Sequence, residues 1–422
     1  MHDTRGDFQS PLPLLTADLP GIGGRLRAAV EDFQVQEIPL YEPRGEGTHS
    51  YLWVEKRGLP TMELVHLLAR ALGRNPRDFG VAGLKDARAV TCQWISIEHV
   101  DSARLASLEG DGFRVLKVAR HGNKLRIGHL KGNQFRILVR DPCPGAEPRA
   151  RAILDRLTAV GVPNLFGRQR FGLRGDTHLI GGAILRRDWT LMCDLLLGGP
   201  RETDPPAGRY FRGLYEGGQF REARAALPPG HREHAAVLEA LMRTGGDFAR
   251  AAGALPRNMK RFFVSAWQSA LFNEVLARRA PELGRLMVGD LAWLHDRGAV
   301  FAVQDAAAEQ QRADRLEISP TGPLFGYRMT QPTGLPGEME ERVLAATGMT
   351  LDDFRRGGED SVKGGRRPLR APLAGALVEP APEGLWVSFR LPPGCYATTV
   401  LDELMKTGAK GGIAAGEAGL ND

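Results

Sequence analysis

The stretch FGVAGLKDARAVTCQW, Phe79 to Trp94, sets one carboxylate, Asp86, between Lys85 and Arg88, on a glycine-led turn between helix-like and strand-like text. Upstream, SYLWVEK, Ser50 to Lys56, is rich in aromatic and branched residues and predicts a strand. Thr61 is placed to cap the helix MELVHLLARAL, in which Leu64, Leu68 and Leu72 recur at helical spacing before Gly73 ends it. Downstream, WISIE, FRVLKV and QFRILVR alternate with period two, as half-buried strands do. A mixed α+β region with a sizeable sheet is therefore expected from Val35 to Arg140.

After Gly161 the text turns mostly helical, with TLMCDLLLG, REHAAVLEALMRT and FVSAWQSALFNEVLARR, and predicts a second domain. Around Pro320, TGPLFGYRMTQPTGLPG is rich in turn residues and reads as a return linker. LWVSFRLPPGCYATTVLDELMK then reads as strand, turn and helix. That piece is too short to fold alone and is expected to rejoin the first sheet, which makes the helical region an insertion. GGEDSVKGGRRP and the tail TGAKGGIAAGEAGLND lack apolar content and are expected to be mobile.

A chain of 422 residues with 42% hydrophobic composition can bury two ordinary cores. Lys and Arg number 56 against 50 Asp and Glu, which favours a polyanionic partner. Cys92, Cys143, Cys193 and Cys395 lie far apart and form no CxxC pair, so neither a zinc ribbon nor a disulfide framework is written here. A reduced, intracellular setting follows. No run approaches the roughly eighteen apolar residues that span a membrane, so a cytoplasmic protein without membrane attachment is expected.

The run KVARHGNKLRIGHLKGNQFRILVR, Lys117 to Arg140, holds seven Lys or Arg, two His and no acid, a density suited to backbone phosphates. NLFGRQRFGLR, Asn164 to Arg174, adds three arginines interleaved with Phe166 and Phe171, and KGGRRPLR adds four more basic residues. No helix-turn-helix or zinc finger accompanies them, so duplex major-groove reading is not signalled. Interleaved aromatics suit unstacked bases, as in RNA or a flipped nucleotide, although core packing is the ordinary role of phenylalanine. HREH, His231 to His234, lacks the further ligands of a closed metal site. There is no GxxxxGK[ST], and PGIGG is too short for a dinucleotide fingerprint. An enzyme built on this chain is expected to use side chains alone, with no metal and no nucleotide cofactor.

A carboxylate between two cations is held in its charged form, available as nucleophile or base. In an isolated KD dipeptide a structural ion pair or a turn cap is the commoner role. The wider text decides between them: AGLKDARAVTCQW resembles the AGxKDxxAVTxQ signature of the TruD family of tRNA pseudouridine synthases. The resemblance continues in EDFQVQE (Glu31–Glu37), KGNQF (Lys131–Phe135), NLFGRQRFG (Asn164–Gly172), SAWQSALFN (Ser265–Asn273) and LPPGCYATTVLDEL (Leu391–Leu404), in the family's order.

The resemblance implies a pseudouridine synthase catalytic domain, with a mixed, mainly antiparallel sheet and a central cleft. It also implies an inserted, mostly helical TruD-specific domain. The expected organisation is a mobile N-terminus over 1–20, the catalytic domain over 21–160 and 338–406, the insertion over 161–337 and a disordered tail over 407–422. The activity implied is isomerisation of a uridine in tRNA, at position 13, with Asp86 as the catalytic carboxylate. Arg27 occupies a position that is usually Lys in the family, and is placed either to pair with Asp86 or to contact phosphate. Phe33, Asn133, Phe135 and Tyr396 match substrate-binding positions. Tyr396 departs from the family's usual phenylalanine, keeping the ring and adding a hydroxyl. The partner implied is tRNA, with no obligate protein partner evident. A non-catalytic tRNA-binding protein or RNA chaperone would use the same basic surface, but would gain nothing from an anion within it.

Overall fold

The structure is a computed structural model that describes residues 14–355 and 361–407. The described residues divide into two compact units, one within Leu165–Arg370 and one of Leu14–Asn164 with Ala371–Thr407.

The discontinuous unit is built on strands β1 (Phe33–Pro39), β2 (His49–Arg57), β3 (Gly80–Val81), β4 (Val90–Glu98), β5 (Glu109–Gly110), β6 (Phe113–His121) and β7 (Leu130–Arg140). Two later strands, Ala374–Ala381 and Gly384–Leu391, complete a nine-stranded sheet. Across it the order is Ala374–Ala381, Gly384–Leu391, β7, β1, β4, β2, β6, β5, with β3 on β4. Only β1 and β4 run parallel, so the sheet is mixed and mainly antiparallel. The expected α+β class is thus present, and the C-terminal text does rejoin the first sheet.

Period-two alternation fixes what each strand buries. On β1, Phe33, Val35 and Glu37 share a buried face, and Ile137, Phe135 and Asn133 of β7 stand directly opposite them. Helices Ala146–Val160 and Ala397–Met405 supply Ile153, Leu154, Leu157, Val400 and Leu404 to the core over this part of the sheet. Helix α1 (Thr61–Leu72) covers Leu52 and Val54 of β2 with Leu64, Val65, Leu68 and Leu72. Gly73 ends α1 in the left-handed region at φ 66°, as its sequence position predicts.

The unit Leu165–Arg370 contains the expected helices, including Trp189–Leu197, Arg232–Thr244 and the long Arg257–Arg279. The long helix packs on Thr177–Arg186, where Gly181 meets the backbone of Phe263. A Cβ there would lie 2.0 Å from the Phe263 carbonyl oxygen, so only glycine allows the approach. The insertion also carries a four-stranded sheet of Val300–Ala302, Leu291–Leu294, Ile318–Leu324 and Gly365–Pro368.

That sheet moves the return point. The sequence placed it at residue 338, but Gly334–Ala345 packs against the long helix, and Gly365–Pro368 pairs with Ile318–Leu324, so the insertion runs to Arg370. Residues 361–368, read as mobile, are fixed for the same reason. Arg366 is buried and bonded to both carboxylate oxygens of Glu340 at 2.7 and 2.6 Å. Arg370 is buried and donates to Ala313, and Arg367 lies 4.3 Å over the Phe166 ring. Much of this basic cluster is spent inside the unit, and residues 356–360 lie outside the described ones.

Within the expected mobile N-terminus, residues 1–13 lie outside the described ones, whereas Leu15 and Thr16 are tied down. Their N–H groups donate to Glu403 at 2.7 and 3.0 Å, and Lys406 donates to the carbonyls of Thr16 and Leu19. The expected disordered tail falls almost entirely on residues 408–422, also outside the described ones.

Candidate active site

Asp86 lies on the turn between β3 and β4, and its side chain is 42% exposed. Arg27 Nη2 donates to its Oδ2 at 3.0 Å. The same guanidinium lies 4.2 Å from the centre of the Phe33 ring. Arg27 is held at φ 56°, a left-handed conformation that costs a non-glycine residue about 1–2 kcal/mol. Its bond to Asp86 and its seat on Phe33 hold it there.

Phe33 and Phe135 meet edge to face with centres 6.3 Å apart, and Phe135 leans on Phe389 at 5.5 Å. Both rings are buried, with Phe33 directly beneath the guanidinium and Phe135 packed edge-on against Phe33. Cross-strand register explains the grouping, because Phe135 stands opposite both Val35 of β1 and Phe389 of the strand Gly384–Leu391. Tyr396, half-buried, begins the helix Ala397–Met405, five residues past Leu391, which pairs with Asn133. The structure therefore joins Arg27, Phe33, Phe135 and Asp86 by direct contacts, and Tyr396 follows from a strand paired to the same part of β7.

Three further features hold the Asp86 turn, in roles that the sequence alone does not assign. The first is Lys56, which alternation places on the face of Leu52 and Val54, where it is fully buried. Its ammonium donates to the carbonyls of Leu59 at 2.6 Å, Asp86 at 2.8 Å and Lys85 at 3.4 Å. Burial pulls its pKa down to about 8, against the opposing charge of Asp86. The signal was present in SYLWVEK, whose period-two pattern carries the Lys into the core row.

The second is Thr61. It does not cap α1, whose N-cap is Pro60 with no side-chain bond. Its hydroxyl instead accepts the Lys85 N–H at 2.9 Å and donates to Gln93 Oε1 at 2.9 Å. A first-turn residue is free to turn its hydroxyl outward when a partner more in need of an acceptor lies beside it.

The third is the buried ion pair Lys85–Glu37, with Nζ 3.2 Å from Oε2 and side chains 4% and 1% exposed. Lys85 Nζ also donates to Asn133 Oδ1 at 2.8 Å, and Glu37 Oε1 accepts the Trp94 N–H at 3.3 Å. Burial pushes the Glu37 carboxyl up, with Lys85 opposing it. In the sequence Lys85 is only a neighbour of Asp86, and Glu37 only the end of EDFQVQE.

Of the basic run, Arg140 is bound to Asp32 and Arg136 lies over Trp386, while Lys117, Arg126 and Lys131 are exposed. In Asn164–Arg174, Arg170 donates to Ser265, Arg174 pairs with Asp176 and Asp204, and Phe171 packs edge-on to His178. Burial pulls His178 down to about 4 and pushes the Cys92 thiol up to about 11, which fits structural roles for both. Among the described residues, no group of three or more His, Cys, Asp or Glu could hold a metal ion, and no helix is long and apolar enough to cross a membrane.

Comparison with known proteins places the chain among the pseudouridine synthases. The model of the family described as tRNA pseudouridine synthase D (TruD) matches residues 12–404. The chain belongs to the TruD family. It is 47% identical over 410 residues to the tRNA pseudouridine synthase D of Geobacter sulfurreducens, covering 97% of this chain and 98% of that one. An enzyme of the same name from Thermus thermophilus is 40% identical over 401 residues, 94% of this chain and 93% of its own. Among solved structures, one from Methanosarcina mazei, provisionally designated tRNA pseudouridine synthase D, superposes with a TM-score of 0.80. It is 31% identical and covers 94% of this chain and 96% of its own.

Proposed function

We propose that the protein converts a uridine of tRNA, at position 13, to pseudouridine, with Asp86 as the catalytic carboxylate acting on a nucleotide turned out of its stack. The observation that carries this reading is the setting of Asp86. Its carboxylate is solvent-reachable and bonded to one guanidinium, while its backbone is anchored by a buried ammonium. A protein that only held a polyanion would gain nothing from fixing an anion so firmly in a cationic surface.

The reaction breaks the bond from N1 to C1′, turns the uracil and joins C5 to C1′. The proton of C5 leaves to solvent and N1 gains one. Atoms and oxidation state balance without a co-substrate, so the chain's own groups suffice in this scheme. Arg27 orients the carboxylate, the Arg27–Phe33–Phe135 cluster supports the flipped base from beneath, and Tyr396 lies against the same nucleotide. The exposed Lys117, Arg126 and Lys131 serve the tRNA backbone.

Release of tritium from tRNA labelled at uridine C5 tests the assignment. The native chain is expected to release it and Asp86→Asn to release none. Full turnover by the variant sinks the role of Asp86, and tight tRNA binding without any pseudouridine sinks the enzymatic reading. Mapping pseudouridine in tRNA from cells with and without the protein tests the position.

A further inference from the structure

We infer that Lys85 and Glu37 are positioning residues that commit Asn133 to act as a hydrogen-bond donor, so that the site reads a uracil carbonyl oxygen both before and after the base turns. The inference rests on the function proposed above and assigns part of its base specificity.

Register brings the three together. Glu37 of β1 and Asn133 of β7 are direct cross-strand partners on the buried face, and Lys85 reaches both from the Asp86 turn. An ammonium has three donors and no acceptor, so the amide atom 2.8 Å from it is the oxygen. The opposite amide orientation would set N–H against N–H. Glu37 keeps Lys85 in place from the other side, and the Lys85 backbone is pinned by Thr61 and Lys56. Asn133 Nδ2 is therefore directed away from the pair, and has no protein partner among the described residues.

What Nδ2 meets follows from the base. Turning uracil about its N3–C6 axis exchanges N1 with C5 and O2 with O4. A donor that holds one carbonyl oxygen at the start finds the other in the same place at the end. Cytosine carries an amino group at one of those two positions, so a fixed donor meets a donor either before or after the turn. Had the amide faced the other way, its oxygen would have suited an N–H group.

The test uses the full chain and a tRNA stem-loop carrying uridine or cytidine at the modified position, with affinities measured in the Asp86→Asn background to prevent turnover. Isocytidine, whose amino group is at C2 rather than C4, is measured beside cytidine, and a base-edge hydrogen bond predicts that uridine binds about tenfold tighter or more than whichever analogue carries its amino group at the position Nδ2 meets before the turn. Adding Asn133→Asp, which keeps shape and can still bond Lys85, is expected to bring the ratio close to one. Lys85→Met is expected to lower the same ratio, because the amide is then free to turn; if it does not fold, Glu37→Gln replaces it. In the native background, Asn133→Asp is expected to slow pseudouridine formation at least about tenfold with thermal stability unchanged. Equal affinity of the native site for uridine and both analogues, or an unchanged ratio of uridine to the disfavoured analogue in Asn133→Asp or in a folded Lys85 or Glu37 variant, overturns the inference. Absence of pseudouridine with the native chain would instead overturn the proposed function, and the affinity ratio would still report on the donor.

Discussion

Replacing Lys56 with Met tests how the fold holds Asp86, because the unbranched stem is kept and only the ammonium is lost. The ammonium makes two short bonds, to Leu59 and Asp86, and a longer one to Lys85. Charged hydrogen bonds contribute roughly 1.5–3 kcal/mol each. Burial opposes them, moving the Lys56 pKa from 10.5 to about 8, which corresponds to about 3 kcal/mol against the charged form. The net loss of stability at neutral pH is therefore expected to be small, about 1–3 kcal/mol. The loss of rate should be larger, about tenfold to a hundredfold, since a misplacement of the order of 1 Å at a catalytic group can cost that much.

The pH dependence separates the two effects. From about pH 8 to 10.5 the unfolded chain keeps the Lys56 proton and the folded chain has released it. Across that window Lys56 adds stability as pH rises. Over the same window the neutral amine has only two N–H groups for three carbonyls, so single-turnover tritium release is expected to fall. Native protein should thus lose rate above about pH 8 while Lys56 contributes growing stability, and Lys56→Met should show neither trend. A Lys56→Met protein with native rate and native pH profile would refute the reasoning, whatever its melting temperature.

Other outcomes are as definite. Arg27→Met keeps an apolar chain over Phe33 but loses the bond to Asp86; loss of a charged hydrogen bond predicts a rate about tenfold to a hundredfold lower, checked by tritium release. Thr61→Val removes the acceptor for the Lys85 N–H and the donor to Gln93, and urea unfolding should show a loss of about 1–3 kcal/mol. In the insertion, Glu340→Leu strands the buried Arg366 and should cost about 3–5 kcal/mol, most of it recovered in the double variant with Arg366→Met.

Period two, written plainly in SYLWVEK, WISIE and QFRILVR, made the sheet strands legible, and apolar spacing did the same for the insertion's long helices. The family resemblance also singled out Asp86, Phe33, Phe135 and Tyr396, since the motifs carrying them are contiguous and need no knowledge of pairing. Where the insertion ends was decided by tertiary structure, because Gly365–Pro368 looks polar and turn-rich until it pairs with Ile318–Leu324. The same holds for Thr61, whose hydroxyl has one local use as a cap and one distant use at Lys85, and only the folded chain brings the second within reach. Glu37 and Asn133 are 96 positions apart in sequence and become partners only through the register of β1 on β7. Local text fixes which groups are present and which way each strand faces. Which carbonyl, carboxylate or amide a buried ammonium meets depends on strand pairing between distant segments, and that pairing set the geometry around Asp86.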